Sequence, residues 1–238
     1  MNKAIIIGAS SGIGKELARI LDTHQYHIGI VGRRLNLLKE LQNELQNESY
    51  IKEIDVSKST SAQEKFKELI NQMGRVDLIV ISAGIGYINP ELHWEQERET
   101  IATNVIGFSA IANVAYNYFK QKGWGHLVAI SSIAALRGSA GAPAYNASKA
   151  FISNYLEGLR QKVVKEGLPI TITDIQPGFV DTAMAKGDKL FWVSSPQKAA
   201  YQIFCAIKKK RSHIYVTKRW KVIAWVLKIL PDIIYNRI

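Results

Sequence analysis

Short unbroken runs of Ile, Val and Leu recur along this 238-residue chain, separated by stretches of helical periodicity. The runs fall at 3–7, 26–31, 77–81, 126–130, 170–175 and 214–216, and Ile5-Ile6-Ile7, Leu78-Ile79-Val80-Ile81 and Leu127-Val128-Ala129-Ile130 show no polar alternation. A strand that is apolar at every position is buried on both faces, as in a parallel sheet covered by helices on each side. Apolar residues spaced by three and four occur at 14–23, 34–47, 61–73, around 95–120 and at 145–166, with Gly123-Trp124-Gly125 and Leu168-Pro169 as stops. This punctuation predicts an α/β fold, a doubly wound parallel sheet of about seven strands flanked by helices. No internal repeat, low-complexity tract or Gly/Ser linker divides the chain, so one domain is expected over 1–238, with 217–238 as an appended tail.

The first run leads into Gly8-Ala9-Ser10-Ser11-Gly12-Ile13-Gly14. A glycine turn between strand and helix lets the backbone approach a pyrophosphate, and the helix N-terminus supplies N–H donors and positive potential. The spacing G-x-x-x-G-x-G differs from the usual dinucleotide fingerprint, and a plain structural turn is the competing reading. An NAD site of the Rossmann type places an acidic residue roughly 20 positions on, at the end of the second strand. Here the chain reads Gly32-Arg33-Arg34 instead. An arginine fork suits a 2′-phosphate, so NADP(H) is favoured over NAD(H), with Lys15 as another phosphate partner. Alternatively the arginines begin a solvated helix.

Tyr145 and Lys149 stand four residues apart on one helical face, and Ser132 precedes them by thirteen positions. An ammonium beside a phenol stabilises the phenolate and brings a group of pKa ~10 toward proton transfer near neutrality. Singly, each of these residues is more simply an ordinary helix or strand-end side chain; together they make an acid/base pair beside a cofactor site. Ser131, Asn146 and Ser148 read as structural, and His126 as a surface residue ahead of a buried strand. The histidines show no metal-ligand spacing, so no metal is expected.

In this order the elements resemble the short-chain dehydrogenase/reductase family over roughly residues 1–216. Ile7 to Gly14 matches the family's TGxxxGIG motif with Ile7 in place of threonine. The resemblance implies that Gly8, Ser10, Ser11, Gly12, Ile13 and Gly14 hold the cofactor phosphates and that Asp55-Val56 contacts the adenine. Ser82-Ala83-Gly84 is similar to the family's Asn-Ala-Gly motif, with serine for asparagine. Pro177-Gly178-Phe179-Val180-Asp181-Thr182 resembles the Pro-Gly motif whose Val180 and Thr182 would meet the nicotinamide. The catalytic set implied is Asn104, Ser132, Tyr145 and Lys149: Tyr145 as general acid/base, Lys149 lowering its pKa and holding the nicotinamide ribose, Ser132 on the substrate oxygen, Asn104 supporting a proton relay. The implied activity is hydride transfer between NADP(H) and a carbonyl/secondary-alcohol pair. A cofactor-binding sensor or scaffold without turnover and a 3-oxoacyl-type reductase are the alternatives.

Specificity in such folds lies in loops beyond the strand ends, here 87–95 and 182–195. Tyr87, Trp94, Met184, Leu190, Phe191 and Trp192 would line an apolar pocket, with Lys186 and Lys189 at its mouth, which suits a lipophilic keto-lipid or steroid-like substrate; packing against the sheet is the other reading for each. The net charge of +11 has several outlets, but no nucleic-acid motif is present. The single Cys205 fits a reducing interior, and 2–7 is too short for a secretory core, so a cytoplasmic protein is expected. In the tail, Trp220 to Leu230 is apolar nearly all round and is flanked by Lys218, Arg219, Lys221 and Lys228. Eleven residues cannot span a bilayer, for which about 20 are needed. The segment either covers the cleft or a twin subunit, the favoured reading, or lies at the inner face of a membrane as a peripheral contact through 218–238. A homo-oligomer, dimer or tetramer, is expected by resemblance.

Overall fold

The computed structural model describes residues 2–183 and 191–237. Seven parallel strands form one sheet in the order β3-β2-β1-β4-β5-β6-β7: β1 Lys3–Ile7, β2 His27–Gly32, β3 Ser49–Glu53, β4 Leu78–Ile81, β5 Gly125–Ile130, β6 Ile170–Pro177 and β7 His213–Val216. Helices α1 Gly12–Thr23, α2 Leu35–Glu44 and α7 Pro196–Lys208 serve one face; α3 Ser59–Met73, α5 Phe108–Lys122 and α6 Pro143–Lys165 serve the other. The two-residue period of the strands divides the core accordingly. Ile5, Ile7, Ile79, Ile81, Leu127 and Ala129 join Phe66, Phe108 and Phe119 on one side. Ala4, Ile6, Leu78, Val80, Val128 and Ile130 join Leu17, Leu21, Leu38 and Leu41 on the other. Both faces of the central strands are thereby dry, as their unalternating sequences require.

Two elements have no counterpart in the periodicity. β3, Ser-Tyr-Ile-Lys-Glu, is an edge strand of partly exposed residues and needs no apolar run. The start of α7 is marked by Ser195, whose hydroxyl accepts from Lys198 N, followed by Pro196 in the first turn. The expected helix around 95–120 is divided into α4 Trp94–Ile101, a π-helical segment Ala102–Gly107, and α5.

His126 is a correction: it lies inside β5 and is buried, not at the surface. The Thr173 hydroxyl donates to Arg211 O and therefore accepts from His126 Nε2 at 2.7 Å, which places a proton on Nε2.

The tail continues as α8 Lys218–Ile229 and α9 Asp232–Tyr235. Trp220 and Ala224 are buried, and α8 packs on β7 and on a 3₁₀ turn, Ile133–Leu136. The Trp220 ring lies edge-on to Phe179 and stacks with Phe191 at 5.2 Å. A Cβ on Gly178 would stand 2.0 Å from that ring, so the bare glycine is what admits it. Arg137 secures the far end by donating to Leu230 O and Asp232 Oδ1, and Tyr235 donates to Gly138 O. Among the described residues no helix is long and apolar enough to cross a membrane.

Burial, reinforced by the field of Lys210, holds the His126 imidazole down at about 4, against 6.5 when unperturbed. The unfolded chain binds the extra proton between these values, so stability falls as pH drops from 6.5 to 4. Urea unfolding at about pH 7 and about pH 4.5 should show the wild type losing about 2 kcal/mol more than His126→Gln.

Candidate active site

The order of the sheet reverses between β1 and β4, and a crevice at the carboxyl ends of such strands is where ligands bind in open α/β sheets. Every residue singled out in the glycine turn, the Ser82 motif, the Ser132 region and the Pro-Gly segment is carried to that edge by β1, β4, β5 or β6.

The glycine turn is built for close approach. Gly8 has φ +93° and Gly12 φ +56°, and a Cβ on Gly14 would lie 2.2 Å from Gly8 O. Gly8 N and Ala9 N both donate to Val31 O, tying the turn to β2. Ser11 precedes α1 in extended conformation with no capping bond from its side chain, and Ile13 packs against the α1 face of the core. On the far side, Thr182 Cγ2 would lie 3.0 Å from a Cβ on Gly12, so the segment after β6 faces the turn across the crevice. Val180 is buried and bridges to Ser194. Met184, Lys186, Lys189 and Leu190 lie outside the described residues.

The two arginines part company. Arg34 Nη2 donates to Ser10 Oγ at 2.8 Å and to Ser11 Oγ at 2.7 Å, which fixes its guanidinium against the turn. Arg33 instead acts electrostatically on Tyr87, whose hydroxyl donates to Glu99. Lys15 is engaged by Glu44 at 3.2 Å. Asp55 accepts from Ser57 N and Oγ, setting the turn that opens α3, and Val56 is buried beside Gly107, where a Cβ would meet Val56 O at 2.6 Å. Ser82 N donates to Ile7 O, holding the β4 exit beside β1. The glycine turn at the start of α1 and the arginine fork beside it fit a dinucleotide.

Asn104 sits in the π-helical segment, fully buried. Its Oδ1 accepts from Ile85 N at 2.9 Å, while Nδ2 donates to Ile85 O at 2.7 Å and Ser148 Oγ at 3.0 Å. Ser148 in turn donates to Tyr145 O. From the π segment this amide grips the loop after β4 and the second turn of α6 together. Beside it, a Cβ on Gly84 would lie 3.3 Å from Asn104 Oδ1 and 3.4 Å from Lys149 Nζ, and one on Gly86 would lie 2.6 Å from the Tyr145 ring. Glycines thus leave room for this cluster.

Ser132 is buried, accepts from Ala134 N to cap the 3₁₀ turn, and hydrogen-bonds Tyr145. Lys149 donates to Ile130 O at 3.0 Å, with Nζ 5.7 Å from the Tyr145 ring centre. Burial pulls the Lys149 ammonium down to about 8, opposed by Asp174. Asp174 is buried and accepts from Ser131 Oγ and Gln176 Nε2. Burial pushes the Tyr145 phenol up, with the Ser132 bond acting against it. Burial and Ser132 set this shift, while the Lys149 ammonium expected to lower it is engaged by Ile130 O. Asp174 and Gln176 were not anticipated; polar residues inside a dry strand were the available signal.

The family profile described as short chain dehydrogenase matches residues 2–190. The chain belongs to that family. An uncharacterized oxidoreductase of Myxococcus xanthus is 38% identical over 186 residues, spanning 76% of this chain and 73% of that one. Among solved structures, an alcohol dehydrogenase from Thermococcus sibiricus complexed with 5-hydroxy-NADP is 26% identical with TM-score 0.77, covering 91% of this chain and 96% of that one. A short chain dehydrogenase/reductase from Burkholderia phymatum in complex with NAD superposes with TM-score 0.85 at 20% identity, covering 94% and 92%; at that identity the likeness is one of fold. Family membership makes the chain an oxidoreductase of nicotinamide-cofactor type.

The Lys149 shift gives a stability test. Below pH 8 the full cost of a buried ammonium is present, and it is relieved between 8 and 10.5, where the unfolded chain binds more protons. Relative to Lys149→Met, the wild type should gain about 2 kcal/mol between about pH 7.5 and about pH 10 in chemical denaturation.

Proposed function

We propose that the protein is an NADP(H)-dependent reductase of a lipophilic carbonyl compound, with Tyr145 as proton donor. The observation that carries this reading is the joint placement of Ser132, Tyr145 and Lys149 beside the glycine turn, with Arg34 held on Ser10 and Ser11. When bound, the nicotinamide supplies or accepts the hydride. Gly8 to Gly14 would hold the pyrophosphate, Arg34 with Ser10 and Ser11 the 2′-phosphate, Asp55 and Val56 the adenine end, and Pro177 to Thr182 the nicotinamide end. Ser82, Ala83 and Gly84 would form the wall between them.

A phenol whose pKa is raised remains protonated at neutral pH, which suits donation to a developing alkoxide. Ser132 orients the substrate oxygen toward the Tyr145 hydroxyl. Lys149 brings positive charge as the phenolate forms, and Asn104 positions both by anchoring Ser148 and the Ile85 loop. In the reverse direction Tyr145 must first lose its proton, so oxidation should gain with rising pH while reduction falls.

An apolar substrate is supported by Phe191 and Trp192, which pack in line with Phe179 of the segment after β6, whereas Trp94 is 65% exposed at the start of α4. The cytoplasm is the compartment in which a free thiol at Cys205 and NADPH-driven reduction belong. Association into a homo-oligomer is supported by Ile101, Ile106 and Phe151, exposed on α4, the π segment and α6.

Tyr145→Phe should lower kcat on a reducible long-chain ketone by about 10²–10⁴-fold while leaving NADPH binding by fluorescence titration unchanged. Wild-type kcat in this variant would overturn the assignment. Arg34→Ala should raise KM for NADPH by about 10–100-fold and leave KM for NADH nearly constant; an equal effect on both would remove Arg34 from the 2′-phosphate site.

A further inference from the structure

The inner face of α8 is settled by Trp220 and Ala224, and what remains is its outer face. Val222, Trp225, Val226 and Ile229 recur at intervals of three, one and three, one continuous helical stripe, and each is exposed, Trp225 by 63%. Ile233 and Ile234 of α9 prolong the exposed apolar surface to the end of the chain. Lys221 and Lys228 border the stripe and, with Val222, Trp225 and Tyr215, line a recess of about 350 Å³.

Charge selects the occupant. Residues 208–238 contain nine Lys and Arg against the single Asp232, and so carry eight of the eleven net positive charges of the chain. Asp232 is itself paired with Arg137 at 2.6 Å. Two copies joined through this stripe would bring like charges of this size together. An apolar stripe with tryptophan at its centre and lysines along its borders matches instead the acyl boundary and headgroups of an anionic bilayer.

We propose that α8 and α9 form a peripheral docking surface for anionic lipid membranes, with Val222, Trp225, Val226 and Ile229 entering the acyl boundary and Lys218, Arg219, Lys221 and Lys228 at the headgroups. The helix is already folded and pinned by Trp220, so docking needs no ordering of the segment. The same pin joins it to Phe179, Phe191 and Trp192 beside the cleft, which on the reading above sets the entrance for a lipophilic substrate at the lipid surface. Docking itself does not depend on the reaction.

Co-sedimentation of the intact chain with phosphatidylcholine vesicles, with and without about 30 mol% phosphatidylglycerol, tests this. The wild type should pellet with the anionic vesicles only, and about 0.5 M NaCl should release most of it. Trp225→Ser/Ile229→Ser should weaken the association by about tenfold or more, with circular dichroism and oligomeric mass unchanged. Failure to pellet with anionic vesicles at low salt overturns the proposal, as does binding that this variant leaves intact. A fall in oligomeric mass of the variant by light scattering would assign the stripe to a subunit contact, and retention of the intact chain by an acidic protein in place of lipid would assign it to a protein partner; either overturns the lipid assignment. NADPH oxidation by the variant with a water-soluble ketone separates these outcomes from failure of the reductase reading.

Discussion

A parallel sheet dry on both faces leaves polar chemistry one place to go. The central strands present Ile, Val, Leu and Ala to helices on each side, so their interiors hold few groups able to bind a charged ligand or move a proton. What they offer is direction: β1, β4, β5 and β6 all deliver the chain to the same edge, where the backbone can turn and its N–H groups can be used. The glycine turn, the Ile85 loop, Ser132 and the Pro-Gly segment are the continuations of those four strands. Their convergence follows from strand polarity, before any contact between them is considered.

The exceptions to dryness show what the site requires. Asp174 and Gln176 lie within β6 and are buried, in a network with Ser131 and Ser153. A carboxylate there is sustained by charge-assisted hydrogen bonds, and its field opposes the desolvation of Lys149. Burial alone would drive that lysine toward neutrality and leave Tyr145 without a cation when its proton departs. The position of Asp174 limits this, although the ammonium remains well below an exposed lysine. The opposed shifts of phenol and ammonium have one physical cause, loss of water, and both are corrected by near neighbours: Ser132 for one, Asp174 for the other.

How much of this was legible in the sequence depends on whether a residue's role is local. The strands buried on both faces announce themselves as unalternating runs, and Gly8, Gly12 and Gly14 declare a tight turn because positive φ and close approach exclude a Cβ. The i,i+4 spacing of Tyr145 and Lys149 is likewise set by one helix. Asn104 was found, but the π segment that carries it was not: a wider turn leaves the apolar spacing nearly unchanged, and the partner its amide grips at Ile85 is 19 residues away in sequence. The upward shift of Tyr145 was hidden for a similar reason, since desolvation is a property of the packed cleft. β3 escaped because an edge strand can be polar, and His126 because one register step separates a flanking residue from a buried one.

Trp220 joins the two regions that the sequence presents as separate. Its ring occupies the space above Gly178 that any side chain at that position would fill, and it closes an aromatic group with Phe179, Phe191 and Trp192. Phe179 belongs to the segment after β6 that faces the glycine turn, whereas Trp220 belongs to α8. Rigid aromatic contact transmits displacement, because a packed ring cannot yield without opening a void. Trp220 therefore ties the position of α8 to that of Gly178 and Phe179. With Trp220 and Ala224 buried along its inner face, α8 is anchored by the aromatic group near its start and by Arg137 beyond its far end.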